Sequence, residues 1–274
     1  MNKIISITKY TVFGSTGFLG SNFKKYLKKK KYQIFCPLKK DYKFKKNLGH
    51  VFYCAGTSDS ITNPNKALKA NLIYLNNILL NNNFESFTYF SSIRVYSSSK
   101  STNENSKILC DVSEKGIYFK NLKLAAESLC LQFNNPKIRI IRLSNLYGDY
   151  FNKQIYLIPT IIRNIKNDKK IILSISPFSK KNYLHVEDAI KVSIKISQTG
   201  KCRIYNVASK SMIVINEIFK LFKKIKKFDM SILNYKKIIH EPKINISRIE
   251  NEFNFLEKRI FNKSFYNLIK NYFK

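Results

Sequence analysis

The run Gly14-Ser15-Thr16-Gly17-Phe18-Leu19-Gly20 lies between a short β-type stretch, Tyr10 to Phe13, and a helical stretch reaching about Lys30. Three glycines spaced by three constrain the backbone here more than any other feature of the chain. A strand that turns at once into a helix needs positive φ at its exit, room for another group to approach the backbone, and close helix–strand packing. The start of the helix then offers unpaired N–H groups and the positive end of its dipole to an anion. A glycine motif alone is weak, but in a strand–turn–helix context it points to the pyrophosphate of a dinucleotide. The competing reading is a tight turn that binds nothing.

The elements after the loop alternate. Gln33 to Cys36 and Val51 to Cys54 read as strands, and Asn65 to Asn82 reads as a helix with Leu68, Leu72, Leu75 and Leu79 on one face. Phe87 to Phe90 is a strand, Leu122 to Phe133 a helix, and Ile138 to Leu143 a strand. Further on come helices at Glu187 to Ser197, Ile215 to Lys226 and Lys263 to Tyr272, with a strand at Arg203 to Val207. This alternation predicts an α/β chain with a Rossmann-type, doubly wound parallel sheet, its strand C-termini forming the ligand rim. No Pro- or Gly-rich linker is present, so a second lobe is expected to be interwoven with the first.

Net charge raises a different question, because Lys and Arg total 50 against 17 Asp and Glu, a formal +33. Such a surface attracts anions, including nucleic acid. The excess is almost all lysine spread along the chain, while arginine, the better bidentate phosphate ligand, is scarce. Charge alone therefore motivates a nucleic-acid-associated protein only as a minor alternative, and no specific nucleic-acid partner is expected. Cys36, Cys54, Cys110, Cys130 and Cys202 are widely spaced, and His50, His185 and His240 lack metal-ligand spacing. These features suit a reducing compartment, hence a cytoplasmic protein, with no metal. No apolar run approaches the roughly 20 residues of a membrane span.

The choice of dinucleotide turns on the end of the second strand, where an acid would hold the ribose hydroxyls of NAD. Here the chain reads Cys36-Pro37-Leu38-Lys39-Lys40, with Asp41 one step on. Two lysines at that point favour a 2′-phosphate, so NADP is preferred over NAD, with Lys39 as its ligand. The plainer reading assigns both lysines to the general excess.

Further motifs follow in order: Tyr53 to Gly56 (YCAG), Phe90 to Tyr96 (FSSIRVY), Lys123 to Glu127 (KLAAE), Arg142 to Gly148 (RLSNLYG), Tyr183 to Asp188 (YLHVED), Tyr205 to Ala208 (YNVA) and Asn245 to Phe255 (NISRIENEFNF). Together they resemble the extended short-chain dehydrogenase/reductase family, in its NAD-dependent epimerase/dehydratase group. The resemblance implies a dinucleotide-binding domain over 1–147, with 183–208 returning to it, and a small substrate lobe over 148–182 and 209–274. It implies a nucleotide-sugar substrate and hydride transfer at a sugar carbon. Gly14 to Gly20 and Cys54, Ala55 and Gly56 would line the cofactor, and Lys123 would hold the nicotinamide ribose. Ser92 would hold the reacting sugar oxygen, Asn71 matches the central-helix asparagine, and Asn145 and Arg94 fall at substrate positions. Family members often pair through a four-helix interface, so a homodimer is among the expectations.

Several positions depart from the family pattern. The catalytic tyrosine four residues before the lysine is replaced by Phe119, and Tyr118 is adjacent but five residues from Lys123, on another side of a regular helix. Tyr118 could serve only if that helix began irregularly; otherwise water or another group moves the proton, or the chain is a catalytically impaired scaffold. Ile93 and Arg94 stand where 4,6-dehydratases carry an Asp-Glu pair, which favours a 4-keto reductase or an epimerase. Arg94 then either meets a diphosphate or lies on the surface. Lys181 and Asn182 replace a frequent Arg-Asp, and His185 reads as a packed histidine. The short stretch Asp41 to His50 leaves the usual third strand reduced or missing.

Overall fold

A computed structural model describes residues 8–38, 41–113, 116–149 and 156–273. The chain divides into two compact units, one comprising Met1–Leu143, Ile190–Val207 and Asn245–Phe255, the other Ser144–Ala189, Ala208–Ile244 and Leu256–Lys274. The first unit begins with β1 (Lys9–Phe13), α1 (Phe18–Lys29), β2 (Gln33–Phe35) and β3 (His50–Tyr53). Next come α2 (Pro64–Leu68), a π-helical turn (Lys69–Ile73), α3 (Tyr74–Asn81), β4 (Ser86–Ser92), a 3-10 turn (Ile93–Tyr96), α4 (Ile117–Gln132) and β5 (Ile138–Leu143). The chain then forms β6 (Asn145–Tyr147), α5 (Leu157–Lys166), β7 (Ile171–Leu173) and β8 (Lys180–His185) of the second unit. Along α6 (Val186–Thr199) it returns to the first unit for β9 (Ile204–Val207). It ends with β10 (Met212–Val214), α7 (Ile215–Lys223), β11 (Met230–Ile232), α8 (Ser247–Phe253) and α9 (Phe261–Tyr272).

Six parallel strands, ordered β2-β1-β3-β4-β5-β9, build the central sheet and are flanked by helices. Every residue of β5, and all of β4 except its last, is buried, as expected of strands covered on both faces. On α1, Gly20, Phe23 and Leu27 face inward while its lysines stay outside, and the Phe23 ring stacks on Phe52 with centroids 4.3 Å apart. Thr11, the polar residue inside β1, donates its hydroxyl to the Leu48 carbonyl at 2.6 Å. Among the described residues, no strand lies between β2 and β3, so three-residue β2 forms the edge.

In the second unit, β10-β8-β6 form a small mixed sheet, and β7 pairs with β11 in parallel. Its core sets the isoleucine face of α5 (Ile158, Ile161, Ile162, Ile165) among Phe219, Phe222, Phe261 and Phe265. Several of these strands are three residues long, too short to show a period of two. For that reason they escape a reading based on hydrophobic recurrence.

Two arginines on β5 are taken out of water within the first unit. Arg139 donates to the carbonyls of Ser197 and Gly200 at the end of α6, where a cation suits the helix dipole. Arg142 pairs with Glu127 of α4, Nη2 to Oε2 at 2.7 Å, with both side chains almost wholly buried. The same carboxylate accepts from Ser91, while Arg142 donates to Tyr96, whose hydroxyl donates to Asn206 on β9. The outer edge of β9 is closed by side chains. Asn206 N–H donates to Glu104 at 3.0 Å, and Arg248 of α8 donates to the Ile204 carbonyl at 2.6 Å.

Three helices differ from the pattern-based reading. α4 starts at Ile117, earlier than Leu122, because Gly116 adopts φ +83° at its N-cap and turns the chain into the helix. The helix read from Asn65 to Asn82 is interrupted by the π turn, and α7 stops at Lys223. For the buried pair, Arg142→Met should cost about 3–5 kcal/mol by stranding the Glu127 carboxylate. Converting Glu127 to Leu in the same chain should recover most of that loss in urea denaturation.

Candidate active site

The strand order reverses at β1: β2 lies on one side of it, and the chain then crosses to β3 on the other. In open parallel sheets, ligands enter the crevice at such a point, beyond the strand C-termini. The glycine loop follows β1 directly. Gly14 has φ +74°, and a Cβ there would fall 2.6 Å from backbone atoms of Cys54 and Ala55. A Cβ on Gly20 would meet the Gly14 carbonyl oxygen at 2.3 Å. Gly17 differs, because it caps α1 with φ −79°, and a Cβ there would meet only the Gly14 carbonyl oxygen, at an ordinary 3.4 Å. No side chain caps α1, and its first turn holds no acid. Ser15, Phe18 and Leu19 are half-buried in this bend, while Thr16 and Gly17 are exposed.

Across the crevice, β3 is followed by Cys54, Ala55 and Gly56. A Cβ on Gly56 would sit 2.6 Å from Asn71 Oδ1 and 3.1 Å from Lys123 Nζ, so both polar groups crowd one glycine. Asn71 lies in the π turn and is fully buried. Its Nδ2 donates to the Thr57 and Ala67 carbonyls, while its Oδ1 has no partner. The Ala70 carbonyl in the same turn accepts from the Tyr53 hydroxyl at 2.6 Å, which helps to satisfy a helix whose hydrogen-bond ladder is locally broken. Lys123 is buried and donates to the Phe90 carbonyl at 2.9 Å. Burial lowers its pKa from 10.5 to about 8, opposed by Glu127 one turn along α4. Burial pushes the Cys54 thiol well above its ordinary value.

Ser92 ends β4 with its Oγ accepting from the Arg94 N–H at 3.2 Å. The ring facing Lys123 belongs to Phe119, with Nζ 5.7 Å from its centroid. Arg94 Cζ lies 5.1 Å from the same centroid. Tyr118 is already helical and 38% exposed. The first unit thus brings together the glycine loop, Cys54 to Gly56, Asn71, Ser92, Arg94, Phe119 and Lys123. Lys39 and Lys40 lie outside the described residues.

Asn145 belongs to the second unit, where its amide donates to the Asn182 carbonyl and to Glu241. Glu241 also pairs with Lys181 at 3.1 Å and accepts the Asn182 N–H. His185 meets Tyr147 edge-on, and its Nδ1 accepts from the Glu187 N–H. Burial, then Arg259, lowers its pKa to about 4, which keeps the imidazole neutral. Sequence reasoning gave no role to Tyr53, Glu127 or Glu241. A carboxylate four residues after Lys123 on a largely apolar helix was the available signal for Glu127. Among the described residues, no three His, Cys, Asp or Glu side chains gather as a metal site requires, and no helix is long and apolar enough to cross a membrane.

Residues 10–208 match the NAD dependent epimerase/dehydratase family. The chain belongs to that family. No curated protein matches it in sequence. Its fold is similar to that of RMD from Pseudomonas aeruginosa complexed with NADPH (18% identity, TM-score 0.78, 97% of this chain and 99% of that one). It is similar also to UDP-glucuronic acid 4-epimerase from Bacillus cereus in complex with UDP-glucuronic acid and NAD (18%, 0.78, 96% and 99%). A third such fold is dTDP-glucose 4,6-dehydratase from Bacillus anthracis in complex with NAD (19%, 0.73, 97% and 96%). At these identities the likeness is one of fold, and the epimerase/dehydratase framework places the loop at its switch point.

The glycines separate into two classes by experiment. Gly14→Ala and Gly20→Ala should each cost about 3 kcal/mol in denaturant titrations, because backbone atoms cannot retreat. Gly17→Ala should stay within about 0.5 kcal/mol of the parent. For Lys123, the unfolded chain binds more protons than the folded one between pH 8 and 10.5, so stability contributed at this site rises with pH there. From about pH 8 to about pH 9.5 the parent should gain stability relative to Lys123→Met in urea denaturation. Parallel curves for the two proteins would show that Lys123 is not held down by burial.

Proposed function

We propose that this chain is an NAD(P)-dependent oxidoreductase or epimerase acting on a nucleotide sugar. The observation that carries the reading is the convergence, in one unit, of the switch-point glycine loop with Lys123 and Ser92. The crevice fits a dinucleotide. Gly17 is exposed at an uncapped helix start, and the unpartnered Asn71 Oδ1 lies beside Gly56. That structures of similar fold were solved with NADPH, or with NAD and a uridine sugar, supports both halves of the reading. When bound, the nicotinamide would supply hydride exchange at a sugar carbon.

The chain's own residues divide the remaining work. The amides of Gly14 to Gly20 hold the pyrophosphate, and Cys54, Ala55 and Gly56 form the facing wall. Lys123 donates to the nicotinamide ribose, Ser92 holds the reacting sugar oxygen, and Arg94 and Asn145 belong to substrate recognition. Lys39 and Lys40 favour a 2′-phosphate, hence NADP. Ile93 and Arg94 offer no carboxylate beside Ser92, so reduction or epimerisation is preferred to dehydration.

Phe119 favours a second reading, a scaffold that binds cofactor without turnover, because a phenyl ring can neither donate nor accept a proton. Two measurements separate the readings. NADPH fluorescence should rise on binding, and Gly17→Ala, neutral for stability, should weaken that binding at least tenfold. In the enzyme reading, Phe119→Tyr should raise turnover of 4-keto sugar nucleotides by about 10²-fold or more, the usual worth of general acid–base help. Unchanged turnover with intact NADPH binding would leave the scaffold.

A further inference from the structure

Arg94 is held in place more firmly than its exposure suggests. It sits in the 3-10 turn after β4, between Ile93 and Val95, both buried, and its own N–H is bonded to Ser92 Oγ. Its guanidinium lies over Phe119 with Cζ 5.1 Å from the centroid, while Lys123 Nζ lies 5.7 Å from that same centroid. Two cations therefore address one ring. Lys123 has compensation within the fold, from the Phe90 carbonyl and from Glu127 along α4. Among the described residues, the Arg94 guanidinium has no hydrogen bond or ion pair, and a cation–π contact with an aromatic face leaves all five N–H donors available. The planar guanidinium fork matches a carboxylate bidentately.

The geometry points to Arg94 as a specificity residue for an acidic sugar: a carboxylate on the sugar, next to the oxygen held by Ser92, seats on the guanidinium that Phe119 supports. This rests on the nucleotide-sugar reading above and names the substrate class within it. Arg94 lies two residues beyond Ser92, and its backbone N–H is bonded to Ser92 Oγ, which puts the residue at the same strand end as the hydroxyl assigned to the sugar oxygen. The diphosphate is the other source of the same chemistry, and the experiment tells them apart.

The full chain, saturated with NADPH, is titrated calorimetrically with two matched pairs: UDP-glucuronic acid with UDP-glucose, and GDP-mannuronic acid with GDP-mannose. At least one acidic member should bind tenfold or more tightly than its neutral twin. Arg94→Gln should erase that preference, and Arg94→Lys, which keeps charge without the planar fork, should restore only part of it. NADPH affinity serves as the control in each protein. Equal weakening of both members of a pair in Arg94→Gln would assign the contact to the diphosphate and overturn the proposal. So would the absence of any acidic preference, or of any sugar-nucleotide binding, in a parent that binds NADPH. Failure to bind either NADPH or NADH would instead reject the reading on which the proposal stands.

Discussion

The ion pair between Glu127 and Arg142 holds the working end of the first unit in register. Each charge would be prohibitive alone in the interior, and together they are made tolerable by further hydrogen bonds to both partners. Those partners come from different elements: Ser91 at the end of β4, Tyr96 in the turn beyond it, and Asn206 on β9 through Tyr96. Ser91 is the neighbour of Ser92, and Glu127 lies one turn beyond Lys123. The network therefore fixes the strand end that carries Ser92 and Arg94 against the helix that carries Phe119 and Lys123. It also sets the electrostatics, because the same carboxylate that neutralises Arg142 opposes the desolvation of the Lys123 ammonium.

Binding and chemistry are distributed unevenly over this framework. The parts that would grip a dinucleotide are backbone features: a left-handed Gly14, an open Gly17, an uncapped helix and a Cβ-free Gly56. Such features do not depend on any one side chain's acidity. In the proposed reaction the proton-handling part would ordinarily fall to a hydroxyl at the position that Phe119 occupies. A chain can therefore keep the first function while losing or rerouting the second. This asymmetry is why cofactor binding and turnover must be measured separately.

Much of the sheet was legible because buried parallel strands are continuous apolar runs and the glycine loop marks where the first one ends. Gly14, Gly17 and Gly20 could be named from spacing alone, yet spacing could not say which of them the fold requires and which a ligand requires. What a Cβ would strike shows that the fold itself requires Gly14 and Gly20 and does not require Gly17. Phe119 was legible as a departure, and it is the Phe119 ring whose centroid lies 5.7 Å from Lys123 Nζ, while Tyr118 is 38% exposed. The π turn was invisible because Leu68, Leu72, Leu75 and Leu79 continue a helical recurrence straight through it. The cation–π contact of Arg94 could not be read either, since it depends on a turn and a helix separated by a polar stretch with no periodic signal.

The treatment of β9 bears on how the central sheet ends. A terminal strand normally exposes a row of amide and carbonyl groups that invites a stranger's backbone to join. Here Glu104 and Arg248 occupy the Asn206 amide and the Ile204 carbonyl as a neighbouring strand would. At the opposite margin, β2 is only three residues long and is followed within two residues by Pro37, which has no amide hydrogen to offer. Neither margin presents a template for recruitment, so edge-to-edge polymerisation is discouraged by geometry before repulsion between lysines is considered.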